Sequence, residues 1–125
     1  MRKIMGKITI LVPAYNEEAV IEKMYERLNE VCADLERHTF EFLFVNDGSQ
    51  DRTLQLVKQL KGKDDRVQYV DLSRNFGKEA AMIAGLDYTK GDAVIIIDAD
   101  LQQPPELFGE MIHWWEEGYD DVYGV

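Results

Sequence analysis

The sequence predicts an α/β fold: a mostly parallel sheet with helices on both faces. Three observations carry that reading. Short apolar runs rich in β-branched and aromatic residues alternate with longer stretches whose apolar residues recur at steps of three and four. The links between them are short, the mark of right-handed βαβ units. Polar clusters follow the C-terminal ends of the apolar runs, while the opposite ends are plain.

Each element has a local cause. Ile8-Thr-Ile-Leu-Val12 reads as a strand that stops at Pro13. Asn16 is placed to cap a long helix, with Ile21, Met24, Leu28, Val31 and Leu35 as its apolar stripe. The run 40–45 is a second strand, closed by Asn46-Asp-Gly-Ser49. Asp51 then caps a helix carrying Leu54, Val57 and Leu60, ended by Gly62. Residues 67–72 form a third strand, and Asn75-Phe-Gly-Lys78 leads into a small-residue helix over 79–89 that Gly91 terminates.

The fourth strand, Ala93-Val-Ile-Ile-Ile97, is apolar throughout, as a strand buried on both faces must be. Pro104 and Pro105 suit the first turn of a last helix with Leu107, Phe108, Met111, Ile112 and Trp115 on its apolar side, and residues 122–125 begin a fifth strand. With no repeat, linker or low-complexity tract, residues 1–125 read as one unit.

The formal net charge of −10 is spread along the chain, which argues against nucleic acid as a partner. An acidic protein that handles phosphates must bring a cation or a few well-placed basic groups. Cys32 is the single cysteine, so neither a disulfide framework nor a thiolate metal site exists, and a reducing compartment is favoured. No apolar run approaches the ~20 residues needed to cross a bilayer, so the chain reads as a soluble, cytoplasmic piece. His38 suits a helix C-terminus, and Trp115 shares a core-facing stripe with Met111 and Ile112; neither these nor His113 and Trp114 mark a site.

The chemistry concentrates at Asp98-Ala-Asp100. On extended backbone these two side chains point the same way, with Cα atoms roughly 6.5 Å apart. Two aligned carboxylates at a strand's C-terminal end, with Gln102 close behind, can hold one hard cation. The crevice at that rim is where open α/β sheets bind ligands.

The residues Val12-Pro-Ala-Tyr-Asn-Glu-Glu18, Val45-Asn-Asp-Gly-Ser49 with Asp51 and Thr53, and Asp98-Ala-Asp100 resemble the inverting glycosyltransferases of family two, with the GT-A fold. Leu72-Ser-Arg-Asn-Phe-Gly-Lys-Glu-Ala-Ala81 and Ile97-Asp-Ala-Asp-Leu-Gln-Gln-Pro-Pro-Glu106 are similar to its polyprenyl-phosphate branch. The resemblance implies the nucleotide-binding half of a GT-A domain, with the strand order 3-2-1-4 expected for that half, transferring a hexose from a nucleoside-diphosphate sugar (UDP- or GDP-hexose) to a polyprenyl phosphate. It implies a nucleotide pocket lined by Pro13, Tyr15 and Glu17, with Asp47 accepting from the base edge. Asp47 equally suits an Asx-turn before Gly48, which serves the turn alone. Arg74 and Lys78 are available to steady Asp47 or a phosphate, or stand as solvated surface. The resemblance also implies that Asp98 falls near ribose and metal, that Asp100 is the principal ligand of Mg²⁺ or Mn²⁺, and that Gln102 is an accessory ligand.

Family members carry a second half with the acceptor site and the carboxylate base. That base is expected beyond Val125, so this chain is expected to be inactive by itself, while the full-length protein is expected at a membrane, facing the cytoplasm. The sheet edge left open by the fourth strand is expected to drive homo-oligomerisation. Two other readings stay open. An Asp-nucleophile phosphatase of the haloacid dehalogenase type also ends a strand in Asp-x-Asp, but on its first strand and followed by Thr or Val, where this chain has Leu101. The other is a non-catalytic nucleotide-binding module.

Overall fold

A computed structural model of the chain describes residues 7–33, 39–89 and 93–97. In chain order the elements are β1 (Lys7–Ala14), α1 (Ile21–Ala33), β2 (Thr39–Asn46), α2 (Thr53–Lys63), β3 (Val67–Asp71), α3 (Lys78–Leu86) and β4 (Ala93–Ile96). The strands form one sheet in the order β3-β2-β1-β4, and every pairing is parallel. The expected strand order is therefore observed. The expected last helix and fifth strand, with His38, His113, Trp114 and Trp115, lie outside the described residues.

Alternation along each strand divides the core in two. On one face Ile8, Ile10 and Val12 of β1 join Phe40, Phe42 and Phe44 of β2 and Ile95 of β4. That face is covered by Ile21, Met24, Leu28 and Cys32 of α1 and Leu56, Val57 and Leu60 of α2. On the other face Leu11, Leu43 and Val45 meet Ala81 of α3, with Val94 and Ile96 packed alongside. Handedness explains the split. The steps from β1 to β2 to β3 run one way and the step to β4 runs back, so right-handed crossovers put α3 opposite α1 and α2.

Gly85 brings α3 close to the sheet: a Cβ there would lie 2.6 Å from Leu11 Cδ1 and 2.8 Å from Val45 Cγ2. On the outer side of α3 Ile83 is 63% exposed and Leu86 43%. Thr9, on the α3 side of β1, is fully buried, and its hydroxyl has no hydrogen-bond partner among the described residues.

A polar network ties the first face together at α1, α2 and β3. Arg66 donates to Asp64 through Nε and Nη2, and the Tyr25 hydroxyl donates to Asp64 at 2.6 Å. Arg66 also donates to Asn29 of α1 and lies 4.9 Å over the Phe42 ring, which Tyr25 meets edge-on. Hydrogen bonds from Arg66, stronger than the opposing effect of burial, hold the Asp64 carboxyl well below the usual carboxylate range. Cys32 is buried, and desolvation pushes its thiol up to about 12, which makes it unreactive. Among the described residues no helix is long and apolar enough to cross a membrane.

Several boundaries differ from expectation. The first strand continues through Pro13 to Ala14, with Pro13 opposite Val45. The hydrogen bonds show why this is tolerated. Ala14 accepts from Asp47 on the β2 side, and Leu11 accepts from Ile97 on the β4 side. Pro13 shares the β4-facing orientation of Leu11, so its missing N–H is lost only where the ladder to β4 ends.

Asn16 is no helix cap. It sits at φ +53°, and α1 begins at Ile21 after a turn in which the Val20 and Ile21 amides bond Glu17 O. In α1 Cys32 is buried and Val31 only partly so, while Leu35 lies outside the described residues. Asp51 stands one residue before the N-cap, Arg52, and takes the Thr53 amide. Gly62 does not end α2, which runs on to Lys63, and Leu56 rather than Leu54 is buried. The third helix spans Lys78–Leu86 instead of reaching Thr89.

Candidate nucleotide-binding rim

Ala14, Asn46, Asp71 and Ile97 bring four chain exits to one rim of the parallel sheet. β1 stands between β2 and β4, and the chain leaves it in opposite directions on its two sides. The carboxyl ends of β1 and β4 thus form a topological switch point, where open α/β sheets leave a crevice. Pro13 withholds a rung from the ladder at that place.

The β1–α1 loop is lashed to the β2–α2 loop by consecutive bonds. The amides of Asn16, Glu17 and Glu18 donate to Ser49 Oγ (2.9 Å), Thr53 Oγ1 (2.8 Å) and Asp51 Oδ2 (3.1 Å). Asn16 returns one bond, its Oδ1 accepting from the Gln50 amide at 2.8 Å. The positive φ of Asn16 belongs to this arrangement, and Asn tolerates it better than most residues. Burial pulls the Asp51 carboxyl up, but bonds from the Thr53 hydroxyl and the Thr53 and Glu18 amides prevail, leaving it below its ordinary value.

The β3–α3 loop is held from the other side of the same segment. Asp47, only 3% exposed, accepts from Phe76 N at 2.8 Å, Gly77 N at 3.0 Å and Asn75 Nδ2 at 3.1 Å. Arg74 and Phe76 project from this loop as an exposed pair, guanidinium 4.7 Å from the ring centroid. Arg74 therefore lies on Phe76, while Asn75, Phe76 and Gly77 steady Asp47.

Gly48 does more than turn the chain. Its φ is +71°, and a Cβ there would stand 2.3 Å from both Arg74 C and Asn75 N. Beneath them the Asn46 amide donates to Asp71 Oδ1 at 2.9 Å, and Asn46 Oδ1 accepts from Ser49 N at 3.3 Å.

Of the residues expected at the site, Pro13 is buried beneath the rim, Tyr15 is 43% exposed, Glu17 is half-buried and Asp47 is buried. Arg74 and Lys78 are exposed on the third loop and the start of α3. The structure thus brings these six to one end of the sheet. Asp98, Asp100 and Gln102 lie outside the described residues, which stop at Ile97. Sequence reasoning passed over the Asn46–Asp71 pair and Phe76. The signal for the pair was a polar residue ending each of two adjacent strands.

Among the described residues no group of three or more His, Cys, Asp or Glu is arranged to hold a metal ion. What the described residues place on this rim is an exposed aromatic–guanidinium pair, a second exposed aromatic at Tyr15, and loops tied to one another by hydrogen bonds. The four-stranded parallel sheet, with its polar loops on the carboxyl rim, is the Rossmann-like arrangement of GT-A domains. The profile of "Glycosyl transferase family 2" matches residues 9–125, and the chain belongs to that family.

The chain is 52% identical over 117 residues to the uncharacterised glycosyltransferase YkcC of Bacillus subtilis (strain 168), covering 94% of this chain and 36% of that protein. It is 44% identical to the bactoprenol glucosyl transferase of Shigella phage SfX, covering 93% of this chain and 38% of that one. Among solved structures it is similar to the mannosyltransferase PcManGT of Pyrobaculum calidifontis in complex with GDP-Man and Mn²⁺. That likeness has a TM-score of 0.71 and 25% identity, covering 84% of this chain and 30% of the other. The chain spans little more than a third of the length of the curated relatives it matches.

Proposed function

We propose that this chain is the donor-binding half of a glycosyltransferase that moves a hexose from a nucleoside-diphosphate sugar to a polyprenyl phosphate, with inversion. One observation carries the reading: three braced loops surround the β1–β4 switch point at the place where β4 leads into Asp98-Ala-Asp100. Likeness to a bactoprenol glucosyl transferase supports the acceptor class, and likeness to a mannosyltransferase holding GDP-Man and Mn²⁺ supports the donor class.

In this reading Tyr15 gives the base a flat apolar surface, Pro13 fixes the pocket floor, and Glu17 and Asp47 lie along the nucleoside. Arg74 and Lys78 bring positive charge to an otherwise acidic chain facing an anionic ligand. Asp98, Asp100 and Gln102 would supply hard oxygen donors of the kind that suits Mg²⁺ or Mn²⁺. Such a cation stabilises charge growing on the leaving diphosphate. The chain spans little more than a third of its curated relatives, and in this reading the acceptor-activating base lies in the remainder of the full-length protein, so the chain alone binds donor without turning it over. The whole protein works at the cytoplasmic face of a membrane, where a polyprenyl phosphate resides.

Titration calorimetry of the chain with UDP and GDP, with and without Mn²⁺, tests the reading. Metal-dependent binding that Asp100→Ala abolishes supports it. Binding that ignores both metal and Asp100 reduces the chain to a nucleotide-binding module, and hydrolysis of a generic phosphate ester points to the phosphatase.

A further inference from the structure

Asp51 and Thr53 stand in the second motif, yet the proposed function gives neither of them work to do. Thr53 is the first residue of α2, fully buried, and its hydroxyl is used twice. It donates to Asp51 Oδ1 at 2.5 Å and accepts from the Glu17 amide at 2.8 Å. Asp51 takes the Thr53 amide with the same oxygen and the Glu18 amide with the other. Two side chains of one loop therefore fix the backbone of residues 17 and 18 in another, across 33 to 36 positions of sequence.

Two chemical points follow. Successive amides just ahead of a helix are an anion-binding arrangement in many nucleotide folds. In this chain the amides of residues 16–18 are already occupied by Ser49, Thr53 and Asp51, so phosphate must be met elsewhere on the rim. And Glu17 and its neighbour Tyr15 owe their placement to a hydroxyl that does not itself reach the crevice. A buried hydroxyl with both roles filled is costly to replace by an apolar group, because the Glu17 amide and Asp51 would each lose a partner.

We infer that Thr53, oriented by Asp51, is a positioning residue of the nucleotide site: it sets the β1–α1 loop in its ligand-accepting shape through the Glu17 and Glu18 amides. The inference rests on the donor-binding reading. Removing the hydroxyl weakens nucleotide binding even though the threonine touches no ligand, and restoring it in the smaller serine recovers that binding.

The test compares Thr53→Val, Thr53→Ser and Asp51→Asn with the parent chain at a temperature where all are folded. Val57→Ala serves as a core control that lowers stability without touching the loop. Calorimetry with UDP and GDP in Mn²⁺ gives affinity, and amide exchange at Glu17 and Glu18 gives the state of the loop. Thr53→Val should speed exchange at Glu17 and weaken nucleotide binding, each by about tenfold. Asp51→Asn should weaken binding too. Thr53→Ser should stay near the parent value, and Val57→Ala should keep full affinity despite its lower melting temperature. Unchanged affinity in Thr53→Val, or an equal loss in Val57→Ala, overturns the positioning role while leaving the donor reading intact. A parent chain that binds neither nucleotide overturns both.

Discussion

Gly48 faces Asn75 across the rim so closely that a Cβ on the glycine would stand 2.3 Å from the asparagine nitrogen. Any side chain at this position meets backbone, which cannot rotate away, and must also hold a φ of +71°. Gly48→Ala should cost about 1–2 kcal/mol from the left-handed conformation alone, with further loss from displaced backbone. Thermal unfolding measures the total. Faster amide exchange at Phe76 and Gly77 would locate the displacement in the β3–α3 loop.

Asp47 holds that same loop by three donors. Asp47→Asn keeps the shape but turns one acceptor oxygen into a donor facing an N–H. A stability loss of about 1–3 kcal/mol is expected, with lost protection at the Phe76 and Gly77 amides. Unchanged protection would show that the loop is held by something other than this carboxylate.

The Tyr25–Asp64–Arg66 network makes stability depend on acid. The Asp64 carboxyl titrates lower in the folded chain than in the unfolded one, chiefly because Arg66 donates to it. Its contribution is therefore whole above about pH 4, the ordinary aspartate value, and drains away as pH falls through the lower folded value. Urea midpoints from pH 6 down to pH 2 should decline, and Asp64→Asn should flatten the part of that decline which this group causes. A variant profile parallel to the parent's would refute the assignment.

Thr9 offers a gain instead of a loss. Its hydroxyl is buried without a partner among the described residues, so Thr9→Val removes a desolvated polar group while keeping the side-chain shape. Stabilisation of about 1 kcal/mol is expected, read as a higher melting temperature. A lower one would mean that the hydroxyl is satisfied after all.

Among the described residues β4 pairs with β1 on one side only. The expected consequence is self-association through the free edge. Light scattering should report a mass above the 14.5 kDa of one chain and rising with concentration. A constant 14.5 kDa would exclude it.

The sheet was legible because apolar runs such as 40–45 and 93–97 leave few alternatives to buried strands, and handedness then limits their order. The loops were legible as a site but not as a machine. Asn16, Asp51 and Gly48 read from the sequence as local caps or turns, because sequence shows neighbours along the chain. Their partners lie across the rim: Gln50 for Asn16, Glu18 for Asp51 and Arg74 for Gly48. Pro13 misled for a related reason. Proline breaks a strand only if its missing donor faces a neighbour still in the ladder, and that depends on pairing, which composition does not reveal.

The single thiol of Cys32 makes the chain its own stopwatch. Sealed under the last turn of α1 and held protonated, it should ignore maleimides and disulfide reagents while the packing is closed. Modification then waits for the helix to lift, so the labelling rate counts openings one by one, with no dye or tag grafted on.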